Sequence, residues 1–211
     1  MLKLKLLYLS LILFFVNTVF AQNNFITTWE TTTANENITI PTFGSGYNYD
    51  IDWENDGVFD ILGATESTTH SYPANGIHTV VIRGDFPRIY FNNTGDKLKI
   101  NSVEQWGNIV WTSMENAFYG CNNLTINASD TPDLSNVTNM SLMFKGSVAF
   151  NQPIEGWNVS NVTNMSGLFS GIANDNNLLN QPIENWDVSN VTDMSSMFDG
   201  AVLFNQPIGN W

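Results

Sequence analysis

Between residues 47 and 53 apolar and polar letters alternate: Tyr47, Tyr49, Ile51 and Trp53 fall on one side, Asn48, Asp50 and Asp52 on the other. A period of two belongs to a strand with one buried face. Ile38-Thr39-Ile40 before Pro41, the run His78–Ile82 before Arg83-Gly84, and Ile89-Tyr90-Phe91 before Asn92-Asn93-Thr94-Gly95 repeat the scheme. Asn55-Asp56-Gly57 supplies a turn, because Asp-Gly readily adopts the positive φ that a tight hairpin requires. Residues 22–95 thus read as a small antiparallel β domain.

From residue 96 the period changes. Asp187-Val-Ser-Asn-Val-Thr-Asp-Met-Ser-Ser-Met-Phe198 is echoed at 133–144 and 158–169, and each copy continues through Gly146, Gly171 or Gly200 to Asn-Gln-Pro-Ile at Asn151, Asn180 and Asn205. Trp111 to Gly120, with Met114 and Phe118, is a degenerate first copy. Self-similarity at about 25 residues predicts units that stack, since none can bury its apolar face alone. Val191, Met194 and Phe198 lie at i, i+3 and i+7, which predicts a short helical turn capped by Ser189 and Asn190 and ended by Gly200. Phe204, Ile208 and Trp211 space like a short extended segment, where Pro207 excludes helix. The fold class so read is α+β with a solenoid of short strands and short helical turns. Stacking would set Met on Met, Phe on Phe and Trp on Trp, with the Asn at 136, 161 and 190 or the Asn-Gln pairs forming a structural ladder. Successive glycines stand 26, 25 and 29 residues apart, and the extra Asn174–Asn177 predict an outer loop. The last copy stops at Trp211 inside a repeat, so a longer chain is expected.

Lys3 and Lys5, the apolar run Leu6–Val16 and Val19-Phe20-Ala21 have the pattern of a secretory signal peptide cleaved after Ala21, and no transmembrane segment is expected in the mature chain. That chain keeps 5 basic residues against 20 acidic ones. Phosphate backbones repel such a surface, which removes nucleic acid from the partners. Cys121 is the single cysteine, so no intrachain disulfide forms, and its place after Gly120 suits a buried thiol.

Two resemblances follow. Tyr49 to Gly57, with Thr69-His70-Ser71-Tyr72-Pro73 and Gly76 to Val80, resembles the PKD-type β-sandwich modules that act as spacers or binding modules outside cells. Trp186 to Ala201 with Phe204-Asn-Gln-Pro-Ile208 resembles the repeat of BspA-like leucine-rich-repeat bacterial surface proteins, a unit also known from mycoplasmal lipoproteins. The second resemblance implies a leucine-rich-repeat-like solenoid over 96–211, display at the bacterial surface, and adhesion to host or matrix proteins.

Catalytic chemistry is poorly supplied. His70 and His78 are the only histidines, and no metal-binding H-E-x-x-H, nucleophile elbow or phosphate loop occurs, so no enzyme activity, cofactor or metal is expected. Carboxylates at Asp52, Glu54 and Asp56 with Gly57 sixth begin like a calcium loop, but the twelfth position is Gly63 where a bidentate Glu is needed. The expected function is that of a secreted or cell-surface binding protein contacting other proteins. The alternatives are a carbohydrate-binding module and a structural spacer. The candidate ligand residues are Trp157 and Trp186, flanked by Glu155 and Glu184. The tryptophan column is either core or an exposed ladder for sugars. Letters that vary between copies, such as Leu142, Gly167 and Ser196 or Lys145, Ser170 and Asp199, are expected to face solvent.

Overall fold

The computed structural model describes residues 23–172 and 177–211. The expected leader over 1–21 lies outside the described residues. Eight strands are present: β1 Phe25–Thr31, β2 Glu36–Ile40, β3 Asn48–Asp52, β4 Ile61–Ala64, β5 Thr68–Tyr72, β6 Gly76–Asp85, β7 Ile100–Gln105 and β8 Thr125–Ile126. They form a six-stranded sheet, ordered β4-β3-β6-β1-β7-β8, and a two-stranded sheet, β2-β5. The alternation read from the sequence sets the faces: Tyr49 and Ile51 of β3 and Val80 and Ile82 of β6 are buried with Phe25 and Trp29 of β1. Ile38 and Ile40 of β2 and Tyr72 of β5 join the same core from the second sheet. The sheet does not stop at residue 95. β7 pairs antiparallel with β1, and β8 adds to β7 in parallel at Ser102–Thr125 and Val103–Ile126, so the sheet runs into the first repeat.

The fold is all-β, which corrects the expected α+β class. No helix occurs among the described residues, and beyond β8 the repeats hold only turns and isolated parallel bridges, at Val110–Asp133, Asn139–Asn164 and Asn164–Asp193. The expected leucine-rich-repeat-like solenoid of strand-plus-helical-turn coils is therefore not what forms. The reason lies two residues after each repeat methionine. Asn116, Leu142, Gly167 and Ser196 all have positive φ, between 54° and 59°. One left-handed residue stops a right-handed helix. The side chains of Asn139, Asn164 and Asp193 also accept the N–H of Ser141, Ser166 and Ser195, a local bond that competes with helix.

What replaces the helix is a series of overlapping turns with a division of labour along the backbone. We number four layers by their methionines, Met114, Met140, Met165 and Met194. In every layer the third and fifth N–H after the methionine bond carbonyls three residues back, as Met143 to Met140 and Lys145 to Leu142 do. The N–H of the methionine itself and those of the second, fourth and sixth residues point to the next layer. Met140, Leu142, Phe144 and Gly146 donate to the carbonyls of Asn164, Ser166, Leu168 and Ser170 at 2.9–3.0 Å. Met165, Gly167, Phe169 and Gly171 repeat this with Asp193, Ser195, Met197 and Asp199 at 2.7–3.0 Å. Each layer thus accounts for its own backbone polar groups only with a neighbour in place.

Side chains follow the same order. Phe118, Phe144, Phe169 and Phe198 form a column with ring centroids 5.8–6.0 Å apart. Asn161 and Asn190 donate to Ser135 and Ser160 carbonyls one layer back, and Gln181 and Gln206 do so to Asn151 and Asn180, so both expected amide ladders exist, on the surface rather than buried. The threonine hydroxyls of Thr163 and Thr192 add a third row on the carbonyls of Thr138 and Thr163. The 89–91 segment, expected as a strand, instead closes the free acceptor edge of the first layer: Phe91 N–H donates to Ala117 O and Asn93 N–H to Tyr119 O. Asn177, expected on a wet outer loop, is buried, where its amide donates to Phe169 O and its oxygen accepts the Leu179 N–H.

Phe169 is enclosed between two layers, while among the described residues Phe198 has a layer on one side. Phe169→Ala is expected to lower unfolding free energy by about 3–5 kcal/mol and Phe198→Ala by roughly 1–2 kcal/mol, measured by urea titration.

Candidate functional site

Trp157 and Trp186 are core residues, 5 % and 4 % exposed. Trp157 meets Trp106 edge-on at 5.4 Å and Phe144 at 6.0 Å, while the Trp186 indole donates to Ile154 O at 3.1 Å, tying its layer to the one before. Neither ring offers a face to a sugar. Glu155 is exposed and Glu184 half-buried, with Oε2 enclosed and unpaired. The structure therefore separates the four candidates: the tryptophans hold the layers together, Glu155 stands at the surface, and Glu184 is half-buried.

The varying letters are not uniformly exposed. Gly167 and Ser170 are buried, Leu142 and Lys145 half-buried, Ser196 and Asp199 exposed. Position two after the methionine varies because its requirement is a backbone angle. Cys121 is fully buried, and burial pushes its thiol well above its ordinary pKa, so it stays a protonated core group.

The surface of the repeats has one dominant character. Across 112–211 there are nine carboxylates, one lysine and no histidine or arginine. Asp133, Glu155, Asp187 and Asp199 are exposed. Asp133 and Asp187 are held below the ordinary carboxylate range by the hydroxyl of Ser135 or Ser189 and then by its N–H, and Asp193 first by the Ser195 N–H. Their charge is thereby fixed into mildly acid conditions. The four basic residues of the rest of the described chain are engaged: Arg83 with Asp50, Arg88 with Glu115, Lys99 with Glu36 and Asp96, and Lys97 with the Asn93 side chain.

Two further groupings lie in the β domain. Carboxylate oxygens of Asp52, Glu54 and Asp60 come within 4.8 Å of one another. Asp52 accepts the N–H of Glu54, Asp56 and Gly57, Asp60 accepts that of Trp53, and Glu54 pairs with His70 at 3.1 Å. The geometry is that of a turn organised around a buried aspartate. His70 and His78 flank Tyr72, whose ring lies 4.6 Å and 3.6 Å from theirs, and burial first, then His70, lowers the His78 pKa. A groove of about 750 Å³ opens on the outer face of the six-stranded sheet, lined by Asn24, Asn48, Asp50, Phe59 and Asn108. Its cation, Arg83, is stacked on Phe59 at 3.7 Å.

Residues 112–211 match a family described as "Mycoplasma protein of unknown function, DUF285". The repeats are thus similar to that family, and the match begins where the first layer does. No curated protein and no solved structure matches the chain. Among the described residues no helix is long and apolar enough to cross a membrane.

Two expectations follow. Trp157→Ala and Trp186→Ala should each lower stability by about 3–5 kcal/mol in chemical denaturation, as core truncations do, instead of leaving a folded protein with one lost ligand. The aspartates at 133, 187 and 193 have folded pKa values below their ordinary 3.8, so the stability they contribute is complete above 3.8 and is lost as pH falls through the folded values. Replacing all three by Asn should flatten that acid limb of a stability–pH profile. Asn158 already occupies the place equivalent to 133 and 187, and Asn139 and Asn164 that equivalent to 193.

Proposed function

We propose that the chain is a non-enzymatic binding protein, exported and displayed at a bacterial surface, whose repeat region contacts basic proteins outside the cell. The observation that carries this reading is the charge of the repeats: nine carboxylates against Lys145, with Asp133, Glu155, Asp187 and Asp199 exposed. A field of one sign raises the encounter rate with an oppositely charged partner and repels like-charged ones. Export rests on the leader-like pattern of 1–21, and surface adhesion on the resemblance of the repeats to BspA-like proteins and of 49–80 to PKD-type modules. The enclosed indoles leave the carbohydrate-binding alternative without the aromatic platform it called for.

The expected outcome is saturable binding to an immobilised basic protein of pI above about 9, weakening as salt is raised, and none to an acidic protein of equal size. The variant D133N/D187N/D193N keeps the hydrogen-bonding letters that other layers use, so it should stay folded while binding at least about tenfold more weakly with a shallower salt dependence. Unchanged binding by that variant, or equal binding to both proteins, overturns the proposal.

A further inference from the structure

The outer face of the six-stranded sheet carries polar groups that neither the fold nor the repeats use. Asp50 of β3 stands opposite Arg83 of β6, and Val81 of β6 opposite Ile26 of β1, so the groove there has an apolar floor beside an ion pair. The loop after β3 walls one side. Asp52 gathers the N–H groups of Glu54, Asp56 and Gly57, and Asp60 that of Trp53, which brings Phe59 against the Arg83 guanidinium at 3.7 Å. Arg83 also meets Asp50 through Nε and Nη2, both at 2.9 Å, so its remaining N–H groups are fixed in direction. Around this plate stand Asn24, Asn48, Asn55 and Asn108, whose side-chain amides have no hydrogen-bond partner among the described residues. In the repeats, by contrast, Asn161, Asn190, Gln181 and Gln206 spend theirs on carbonyls of the layer before. A second hollow of about 450 Å³, lined by Asp85, Val110 and Thr112, shares Gly84 and Asn108 with the first. Gly84 has a φ of 93°, and a Cβ there would come within 2.7 Å of Asn48 O, so no side chain divides the hollows at that point. Together they make one open trough from the β3–β4 loop across β6 to the first layer.

We propose that this trough binds a stretch of a neutral polysaccharide chain. A side-chain amide offers N–H donors and a carbonyl oxygen in one plane, and vicinal sugar hydroxyls offer the complement, an acceptor and a donor side by side. Four such amides in one concavity supply the convergent polar groups that orient a ligand, over an apolar floor suited to the C–H faces of sugar rings. Charge narrows the class. Asp50, Asp52 and Asp85 line the trough and Arg83 is already engaged by Asp50, so phosphate, sulfate and uronate groups are repelled. An extended peptide is poorly served, because β3 and β6 are each paired on both sides and leave no backbone row for it to join. The two joined hollows suit a chain over a single sugar. This inference stands apart from the charge-based reading of function, since it uses neither the repeat aspartates nor the enclosed indoles.

The test is native electrophoresis of the full chain through gels cast with soluble mixed-linkage β-glucan, galactomannan or starch, each compared with polygalacturonate at equal mass. Expected is concentration-dependent retardation by at least one of the neutral polymers and none by polygalacturonate. Asn48 and Asn108 are exposed, so N48A/N108A should keep its urea midpoint while its apparent Kd for the retarding polymer rises at least about tenfold, as loss of two ligand hydrogen bonds requires. D133N/D187N/D193N should be retarded like the unchanged chain, which separates this site from the repeat surface. The proposal is overturned if no neutral polymer retards the chain, if polygalacturonate retards it equally, or if N48A/N108A is retarded as strongly as the unchanged chain. It is equally overturned if that variant loses binding to a basic protein and not to the polymer, which would assign the trough to a protein partner.

Discussion

The constraint on which the repeat region rests is the division of backbone donors within each layer. Alternate N–H groups close turns inside the layer and the others are committed to the layer beyond. A buried N–H without a partner costs about as much as several apolar contacts return, so no single unit is a stable structure. The apolar columns supply the larger share of the free energy, but the donors fix register. A slip of one residue would place turn-closing N–H groups against the neighbouring layer and break both sets at once. The left-handed residue two positions after each methionine stops the turns from continuing as helix, which leaves the alternate amides for the layer beyond.

A stack of this kind needs a foundation, and the β domain is one. The chain leaves β6, crosses the end of the stack at 88–93, and lays Phe91 and Asn93 on the acceptor edge of the first layer. Trp106 then packs against Phe25, Trp111, Phe118 and Trp157, so sheet and repeats share one aromatic core. Lys97, at the Asn93 side chain, and Arg88, at Glu115, place two of the few cations where they hold this junction. The shared core explains why the sheet extends past residue 95 into β7 and β8.

Much of this was legible in the letters. Period-two alternation located β3, β2 and β6, and the 25-residue period located the Phe column and the two amide ladders, which lie on the surface rather than buried, but not the row of threonine hydroxyls. The helical reading failed for an identifiable reason. Val, Met and Phe at i, i+3 and i+7 share a face in a helix, but they also share one in successive turns, and apolar spacing cannot tell these apart. The distinguishing signal was the pair of Asx residues, at 133, 158 or 187 and again at 139, 164 or 193, each two positions before a serine whose N–H it accepts. Asn177 was missed because a burial role for an inserted asparagine has no pattern in one sequence. Trp157, Trp186 and Trp211 recur at the repeat period, and Trp186 stacks on Trp211 at 6.4 Å, but burial was not readable, since a stacked core and an exposed ladder share one period.

The layering also fixes an exchange rate between sequence and distance. Each repeat advances the structure by about the 4.8 Å of paired strands. The same 25 residues as an extended proline-rich linker would reach roughly 80 Å. Architecture of this kind is a poor way to hold two things apart and an effective way to make breadth: every added unit contributes one more row of Asp, Ser, Asn and Thr in register with the last. Repetition here sets the width of a surface, and the number of rows is the quantity that selection can change without redesigning any one of them.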